Sequence, residues 1–227
     1  KPLNGILIFL LFYFGKTQAQ LSFNNEGGNG LTLVINKDLV VHSDGDVNNQ
    51  TGANMTFESA GEPTLEFDKH FTNSLTADLN SGTGLLKLTG NTSQNLDFGG
   101  DSLYNLEIIN AAGGVFTRTA KVTNEVQFNL GDFITTNDSV LIFDVDAVSL
   151  DAADDSHVNG PVVKNFDSTD EFTYPVGHGS SYNPAAFKPQ GTTPTVMRST
   201  YFGNPPANPT LLEKQLRAIS TVEEWEF

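Results

Sequence analysis

The sequence predicts an all-β protein, and three observations carry the prediction. Apolar and polar residues alternate over short stretches through most of the chain, the pattern of half-buried strands. Gly-Gly, Asp-Gly, Asn-Gly and Ser-Gly pairs punctuate those stretches as turns. Strand starts near Leu31, Met55, Leu85, Val115 and Val140 recur at intervals of about 24–30 residues, a spacing that suits stacked coils. In a solenoid each coil buries its apolar face on the next, and strands pair about 4.8 Å apart along the axis. An antiparallel sandwich with uneven loops is the alternative reading of the same pattern.

The first element is an export signal. Lys1 supplies a positive start, Ile6 to Phe14 an unbroken apolar core, and Gly15 to Ala19 a small, polar flank suited to cleavage before Gln20. That core is shorter than the roughly 20 residues of a spanning helix, and no later segment reads as a membrane span. The expected location is therefore secreted or outer cell surface. The chain starts at Lys1 and stops at Trp225-Glu226-Phe227 within what reads as a strand. It reads as a piece of a longer protein, with further domains downstream.

The strands follow in order. Leu31, Leu33 and Ile35 alternate with Thr32, Val34 and Asn36. Met55 and Phe57 flank Thr56, Leu65 and Phe67 flank Glu66, Leu86 and Leu88 flank Lys87, and Leu106 and Ile108 flank Glu107. Val126, Phe128 and Leu130 alternate with Gln127 and Asn129. Later strands are expected at Val162–Asn165, Glu171–Val176, Ala185–Lys188 and Thr195–Phe202, and a short helix over Thr210–Ile219. Proline divides the chain: eight of its ten prolines lie from Pro161 onward. A proline-poor first part suits central strands, since proline cannot donate to a ladder.

Charge and composition exclude some functions. The 227 residues carry a formal charge of −15, which becomes −17 once residues 1–19 with their two lysines are removed. Such a surface repels phosphate backbones, so nucleic acid is not an expected partner. There are no cysteines, hence no disulfides and no thiolate metal sites.

Several short motifs, taken in order, resemble a family. Ser156-His157-Val158-Asn159-Gly160-Pro161-Val162 resembles the S-x-V-x-G-P-h step of large secreted adhesin-like β-helix proteins of Bacteroidetes. Phe172-Thr173-Tyr174-Pro175-Val176-Gly177 resembles the F-x-F-P-V-G strand that follows it. Tyr182-Asn183-Pro184 and Ile219-Ser220-Thr221-Val222-Glu223-Glu224-Trp225 are similar to the next two landmarks, although Glu224 stands where the family has an aromatic residue. The resemblance implies a right-handed parallel β-helix followed by a truncated β-sandwich-like module. It also implies export through the outer membrane by a type IX route, and it carries no catalytic residues. The expected organisation is a signal peptide over 1–19, a β-solenoid over 20–160 and an incomplete β-sandwich-like module over 161–227.

Some motifs suggest chemistry. Gly100-Asp101-Ser102-Leu103 spells the nucleophile block of GDSL esterases, and Asp154-Asp155-Ser156-His157 supplies their D-x-x-H. Serine, histidine and aspartate make a complete nucleophilic set. That chemistry needs the serine to open a helix, whereas Ser102 precedes Tyr104 to Ile109, a strand pattern. A Gly-Gly-Asp turn is the better reading. Thr136-Asn137-Asp138, Asp154-Asp155 and Gly177-His178-Gly179 stand in the order of polygalacturonase-type hydrolases, which pair one acidic carboxyl with a water-activating one. The substrate clamp of that family is missing after His178, and Gly177-His178-Gly179 reads as a hairpin turn.

Asp144, Asp146, Asp151, Asp154 and Asp155 form an acidic cluster of hard oxygen ligands and are calcium candidates. Asp44-Gly45-Asp46 with Asn48 is a smaller one. A solvated acidic turn is the plain alternative for both. His42 and His70 show no partner at metal-ligand spacing other than nearby Asp68, and read as solvent-facing strand positions. Trp225, Tyr174, Tyr182 and Tyr201 read as core or edge aromatics. Asp101-Ser102-Leu103, Asp138-Ser139-Val140 and Asp167-Ser168-Thr169 resemble the Bacteroidetes O-glycosylation signal, which makes Ser102, Ser139 and Ser168 candidate glycan sites.

The expected function is a non-enzymatic, secreted or cell-surface structural or adhesin-like protein. It would present or bind extracellular glycans or proteins along an extended β-solenoid, with no cofactor unless calcium. A β-helix polysaccharide-degrading enzyme and a calcium-stabilised binding module are the alternatives.

Overall fold

A computed structural model of the chain describes Phe23–Asn24, residues 32–204 and Glu224–Glu226. The expected signal over 1–19 and the expected helix over Thr210–Ile219 lie outside the described residues. Every regular element described is a strand, and the strands stack as about seven parallel coils of a β-solenoid. Among the described residues, no helix is long and apolar enough to cross a membrane.

After β1 (Phe23–Asn24), the first coil contains β2 (Thr32–Ile35), β3 (Val40–Ser43) and β4 (Val47–Asn49). The second contains β5 (Asn54–Phe57), β6 (Thr64–Phe67) and β7 (Phe71–Asn73), and the third β8 (Asp78–Asn80), β9 (Leu85–Leu88) and β10 (Gln94–Asp97). The fourth pairs a long β11 (Ser102–Ile109) with β12 (Gly114–Phe116), and the fifth β13 (Ala120–Leu130) with β14 (Phe133–Ile134). In the sixth come β15 (Leu141–Phe143), β16 (Val148–Leu150) and β17 (Val158–Asn159), and in the seventh β18 (Val162–Phe166), β19 (Phe172–Tyr174) and β20 (Val176–His178). The stack finishes with β21 (Ser181–Tyr182), β22 (Ala185–Phe187), β23 (Thr195–Phe202) and β24 (Glu224–Glu226).

Two long sheets run along the stack. The nine-stranded sheet has the order β1-β4-β7-β10-β12-β14-β17-β20-β21, and the ten-stranded sheet β24-β23-β18-β15-β13-β11-β9-β6-β3 with β16 beside β13. A three-stranded sheet, β2-β5-β8, adds a third wall to the first coils. In the nine-stranded sheet Phe23, Val47, Phe71 and Leu96 are aligned, so the early coils advance with a nearly constant step along the chain. From Gln94 to Gly114 to Phe133 the step becomes shorter. β11 and β13 shorten it by running through the corner that earlier coils spend on a turn. The strand starts that suggested the repeat belong to different walls: Met55 to the three-stranded sheet, Leu85 to the ten-stranded, Val115 to the nine-stranded.

The core follows from the two-residue alternation. Val41, Leu65, Leu86, Leu106 and Val126 form one in-register row facing inward, and none is more than 5% exposed. Each such side chain contributes about 1.5–3 kcal/mol of burial. Beside the row runs an aromatic spine, Phe67–Phe71–Phe98–Phe116–Phe133, with ring centroids 5.2–6.1 Å apart.

Buried polar side chains at the corners bond to neighbouring turns. Gln94 donates to the Phe67 and Lys69 carbonyls, and Asn110 donates to Gln94 Oε1 and the Thr92 carbonyl. Where successive corners press together only glycine fits: Gly131 has φ +90°, and a Cβ there would strike the Asn110 carbonyl.

The parallel ladder continues past the boundary expected at Gly160. β18 pairs with β15 and β20 with β17, both parallel, so residues on both sides of Gly160 belong to the same two sheets. Antiparallel pairing begins afterwards, with β20–β21, β19–β22, β18–β23 and β23–β24. These hairpins overlay the last coil.

Candidate functional site

The outer face of the ten-stranded sheet carries two aligned rows of side chains. One row runs Val40, Thr64, Leu85, Asn105, Glu125, Val148. The other runs His42, Glu66, Lys87, Glu107, Gln127, Leu150. Period-two alternation puts every one of these opposite the core.

The second row is a charge ladder. His42 Nδ1 lies 3.4 Å from Glu66 Oε2, and Lys87 Nζ bridges Glu66 at 3.7 Å and Glu107 at 3.4 Å. Asn129 donates to Glu107, and Gln127 to Asn129 and Asp151. Asn124 donates to Asn105 in the first row's neighbourhood. Between the rows lies a shallow depression of about 300 Å³ whose lining includes Leu85, Asn105, Glu107, Glu125, Gln127 and Asn129. It offers amide donors, carboxylate acceptors and one apolar wall.

At the start of the charge ladder three ligand-type side chains converge. His42 Nε2 is 2.8 Å from Asp44 Oδ1 and 3.5 Å from Asp68 Oδ2. Among the described residues this is the only set of three His, Asp or Glu side chains whose ligand atoms lie within 4.8 Å of one another. Burial works to lower the imidazole pKa, but the hydrogen bond to Asp44 and the Asp68 and Glu66 carboxylates outweigh it and hold the pKa above its ordinary value.

Along the chain His42 reads as a lone strand histidine. The missed signal is periodic: His42-Ser43-Asp44 is followed, one coil later and in register, by Glu66-Phe67-Asp68. Applying the coil period to ligand residues, and not only to apolar ones, stacks them.

The five aspartates proposed for calcium are spread over successive turns of the sixth coil and are not drawn into one such set. Asp144 pairs with Lys121 at 3.5 Å and accepts from Asn165, and the Asn165 bond leads the interactions that hold its pKa below the ordinary value. Asp151 accepts from Gln127, Asp154 accepts from the Tyr182 backbone N–H, and the Asp155 carbonyl accepts from Gly131 N–H. A cation does sit in the Asp144–Ala147 turn, and it is a side chain. Lys164 Nζ donates to the carbonyls of Asp144, Val145 and Ala147 at 2.6–2.8 Å. The residue is 5% exposed, with the Phe172 ring centroid 5.0 Å from the ammonium. Burial lowers its pKa, and Asp146, Asp144 and Asp167 work to raise it. In the smaller Asp44-Gly45-Asp46 candidate, Asp46 accepts from the His70 N–H.

Residues of the tempting catalytic strings hold corners. Ser102 opens a strand, as expected of a turn, and Asp101 accepts from Asn73 Nδ2 and Leu79 N–H. His157 is fully buried. Its Nδ1 lies 3.1 Å from the Ala153 carbonyl and 3.4 Å from Asp132, whose carboxyl is pushed up by burial against the pull of His157. Asp138 sits in the Thr136–Ser139 turn, and His178 pairs with Ser181 in the β20–β21 hairpin. No hydrogen bond or ion pair joins Asp138, Asp154, Asp155 and His178 among the described residues.

Of the candidate glycan sites, Ser102 and Ser168 are partly exposed, whereas Ser139 is 5% exposed and bonded to Thr136. Tyr174 and Tyr201 are core residues. The Trp225 side chain lies outside what is described, although its backbone pairs with Tyr201.

No protein-family model matches this chain, and neither do any curated protein or solved structure.

Proposed function

We propose that this protein is a non-enzymatic structural or adhesin-like β-solenoid, secreted or held at the outer cell surface. It binds extracellular glycan or protein along the outer face of the ten-stranded sheet. The observation that carries the reading is the pair of aligned rows on that face. Side chains there repeat at the strand spacing of about 4.8 Å, so an extended chain of repeating hydroxyls meets Asn105, Glu107, Glu125, Gln127 and Asn129 on a rigid frame. About seven coils give roughly 34 Å of rod at that spacing.

Support for a non-enzymatic role comes from the corners. Asp101, Asp154 and His157 are engaged by backbone groups of neighbouring coils or turns, which suits scaffolding better than proton transfer.

The test uses the chain with a panel of neutral and acidic extracellular polysaccharides, following both retention and release of reducing ends. Retention without release, weakened when Glu107→Lys and Gln127→Ala are combined, is the expected result. Release of reducing ends that disappears in Asp155→Asn overturns the proposal in favour of a hydrolase.

A further inference from the structure

We propose that His42, Asp44 and Asp68 form a divalent transition-metal site of the zinc class, which clamps the first described coil to the second. It is independent of whether the outer face binds a glycan.

The donor geometry is close to what such an ion needs. Four-coordinate zinc binds imidazole nitrogen and carboxylate oxygen at about 2.0–2.2 Å, which places neighbouring donors about 3.3–3.5 Å apart. The His42 Nε2–Asp68 Oδ2 separation is 3.5 Å and the His42 Nε2–Asp44 Oδ1 separation is 2.8 Å. The Asp44 and Asp68 ligand atoms lie within 4.8 Å of each other, so small rotations of the two Asp side chains, including an opening of the shorter separation by about half an ångström, bring the three donors to corners of a tetrahedron. Water supplies the fourth.

Both outer partners are in place. Nε2 now carries a proton bonded to Asp44 Oδ1, which an ion displaces on binding, and Glu66 Oε2, 3.4 Å from His42 Nδ1, is placed to hold the proton on Nδ1 when it does. Thr89 Oγ1 donates to Asp68 Oδ1 at 2.8 Å, so that oxygen is engaged and Oδ2 is the one turned to the cluster. The two partners come from different coils than the groups they orient: β6 serves β3, and the end of β9 serves the end of β6.

Charge points the same way. Three carboxylates crowd one imidazole, and the Lys87 ammonium beside Glu66 is shared with Glu107. A dication relieves that crowding. The nitrogen donor selects borderline transition ions over calcium and magnesium, which prefer all-oxygen shells. The side chains are 23%, 36% and 32% exposed in the order His42, Asp44, Asp68, so an ion reaches them from solvent.

Position supplies a reason for the clamp. β3 ends the ten-stranded order among the described residues and has β6 as its neighbour there. An ion bonded to His42 and Asp44 on one coil and Asp68 on the next adds a cross-coil tie at an edge strand that, among the described residues, is paired on one side only.

The experiment is titration of the metal-stripped chain with zinc chloride, by calorimetry and by thermal melting, with calcium chloride as comparator. Saturable binding of one zinc per chain is expected, together with a zinc-dependent rise in Tm. His42→Ala and Asp68→Asn abolish both, Glu66→Gln weakens binding about tenfold, and His178→Ala, at an exposed histidine, changes neither. To separate loss of the site from loss of folding, the imidazole resonances of the unsubstituted chain are followed during the titration. Zinc shifts those of His42 and leaves those of His178 in place. Absence of saturable binding, binding retained in His42→Ala, equal affinity for calcium, or unmoved His42 resonances each overturns the proposal.

Discussion

Asn49 Nδ2 donates to Asn73 Oδ1 at 2.7 Å, and the two residues stand at the same corner of adjacent coils. Both are buried, at 4% and 1% exposure. Asn49 also donates to the Asp78 carbonyl, and Asn73 passes the chain on to the Phe98 carbonyl and to Asp101 Oδ2. Three successive coils are thus tied at one corner through buried amide side chains.

Asn73→Ala removes the side-chain bond to the Phe98 carbonyl, which keeps only the Asp101 N–H, and leaves one Asn49 proton without a partner. A buried polar group stripped of its hydrogen bond costs about 1–3 kcal/mol, so a loss of about 2–3 kcal/mol is expected in urea unfolding. Asn73→Asp is expected to lose more, because it sets a second carboxylate against Asp101. An Asp variant as stable as the unsubstituted chain contradicts this account.

Lys164 is expected to be the costliest lysine to replace. Lys164→Met keeps the length and apolar contact with Phe172 but strips the ammonium's hydrogen bonds from the carbonyls of Asp144, Val145 and Ala147, of which Asp144 keeps the Ala147 N–H. A buried carbonyl stripped of its hydrogen bond costs about 1–3 kcal/mol, so a loss of several kcal/mol is expected for the group. The measurement is the denaturation midpoint of Lys164→Met against that of an exposed lysine variant such as Lys188→Met.

Phe116 stands between Phe98 and Phe133 in the aromatic spine and is 1% exposed. Phe116→Ala opens a cavity in the middle of the stack, and the expected loss is about 3–5 kcal/mol. Phe116→Leu, which keeps most of the volume, is expected to recover more than half of it in the same unfolding measurement.

Tyr174 sets an alkaline limit on stability. Its phenol is fully buried, donates to the Met197 carbonyl at 3.2 Å, and burial raises its pKa well above the ordinary 10.0. The unfolded chain therefore releases this proton near pH 10 while the folded chain keeps it. The stabilisation is complete below about pH 10 and is lost above it, at about 1.4 kcal/mol per pH unit. Tyr174→Phe is expected to cost about 1 kcal/mol near neutrality and to flatten the decline above about pH 10. An equally steep decline in Tyr174→Phe assigns the alkaline limit to other groups.

Much of the fold is legible in the sequence. Alternation at Leu65-Glu66-Phe67, Leu86-Lys87-Leu88 and Leu106-Glu107-Ile108 sorts core from surface correctly, because one face of each strand must leave water. The recurring interval between strand starts also identifies stacking. It does not identify which strand stacks on which, because β11 and β13 cross a corner without turning and shorten the step between coils. The site was less legible. Chemical strings such as Gly100-Asp101-Ser102-Leu103 look like reagents when read along the chain. Hydrogen bonds from the neighbouring coil make Asp101 a corner acceptor instead.

By itself, then, the sequence determined that this chain is all strands and turns, which faces are apolar, and that coils repeat, since those follow from residue type and short spacing. The tertiary structure decided the rest: the buried ammonium of Lys164 in an aspartate-rich turn, the seventh coil beyond Gly160, and the meeting of His42, Asp44 and Asp68. Each depends on register between strands a full coil apart in the chain. Register is set by the packing of whole coils against one another, and no local pattern encodes it.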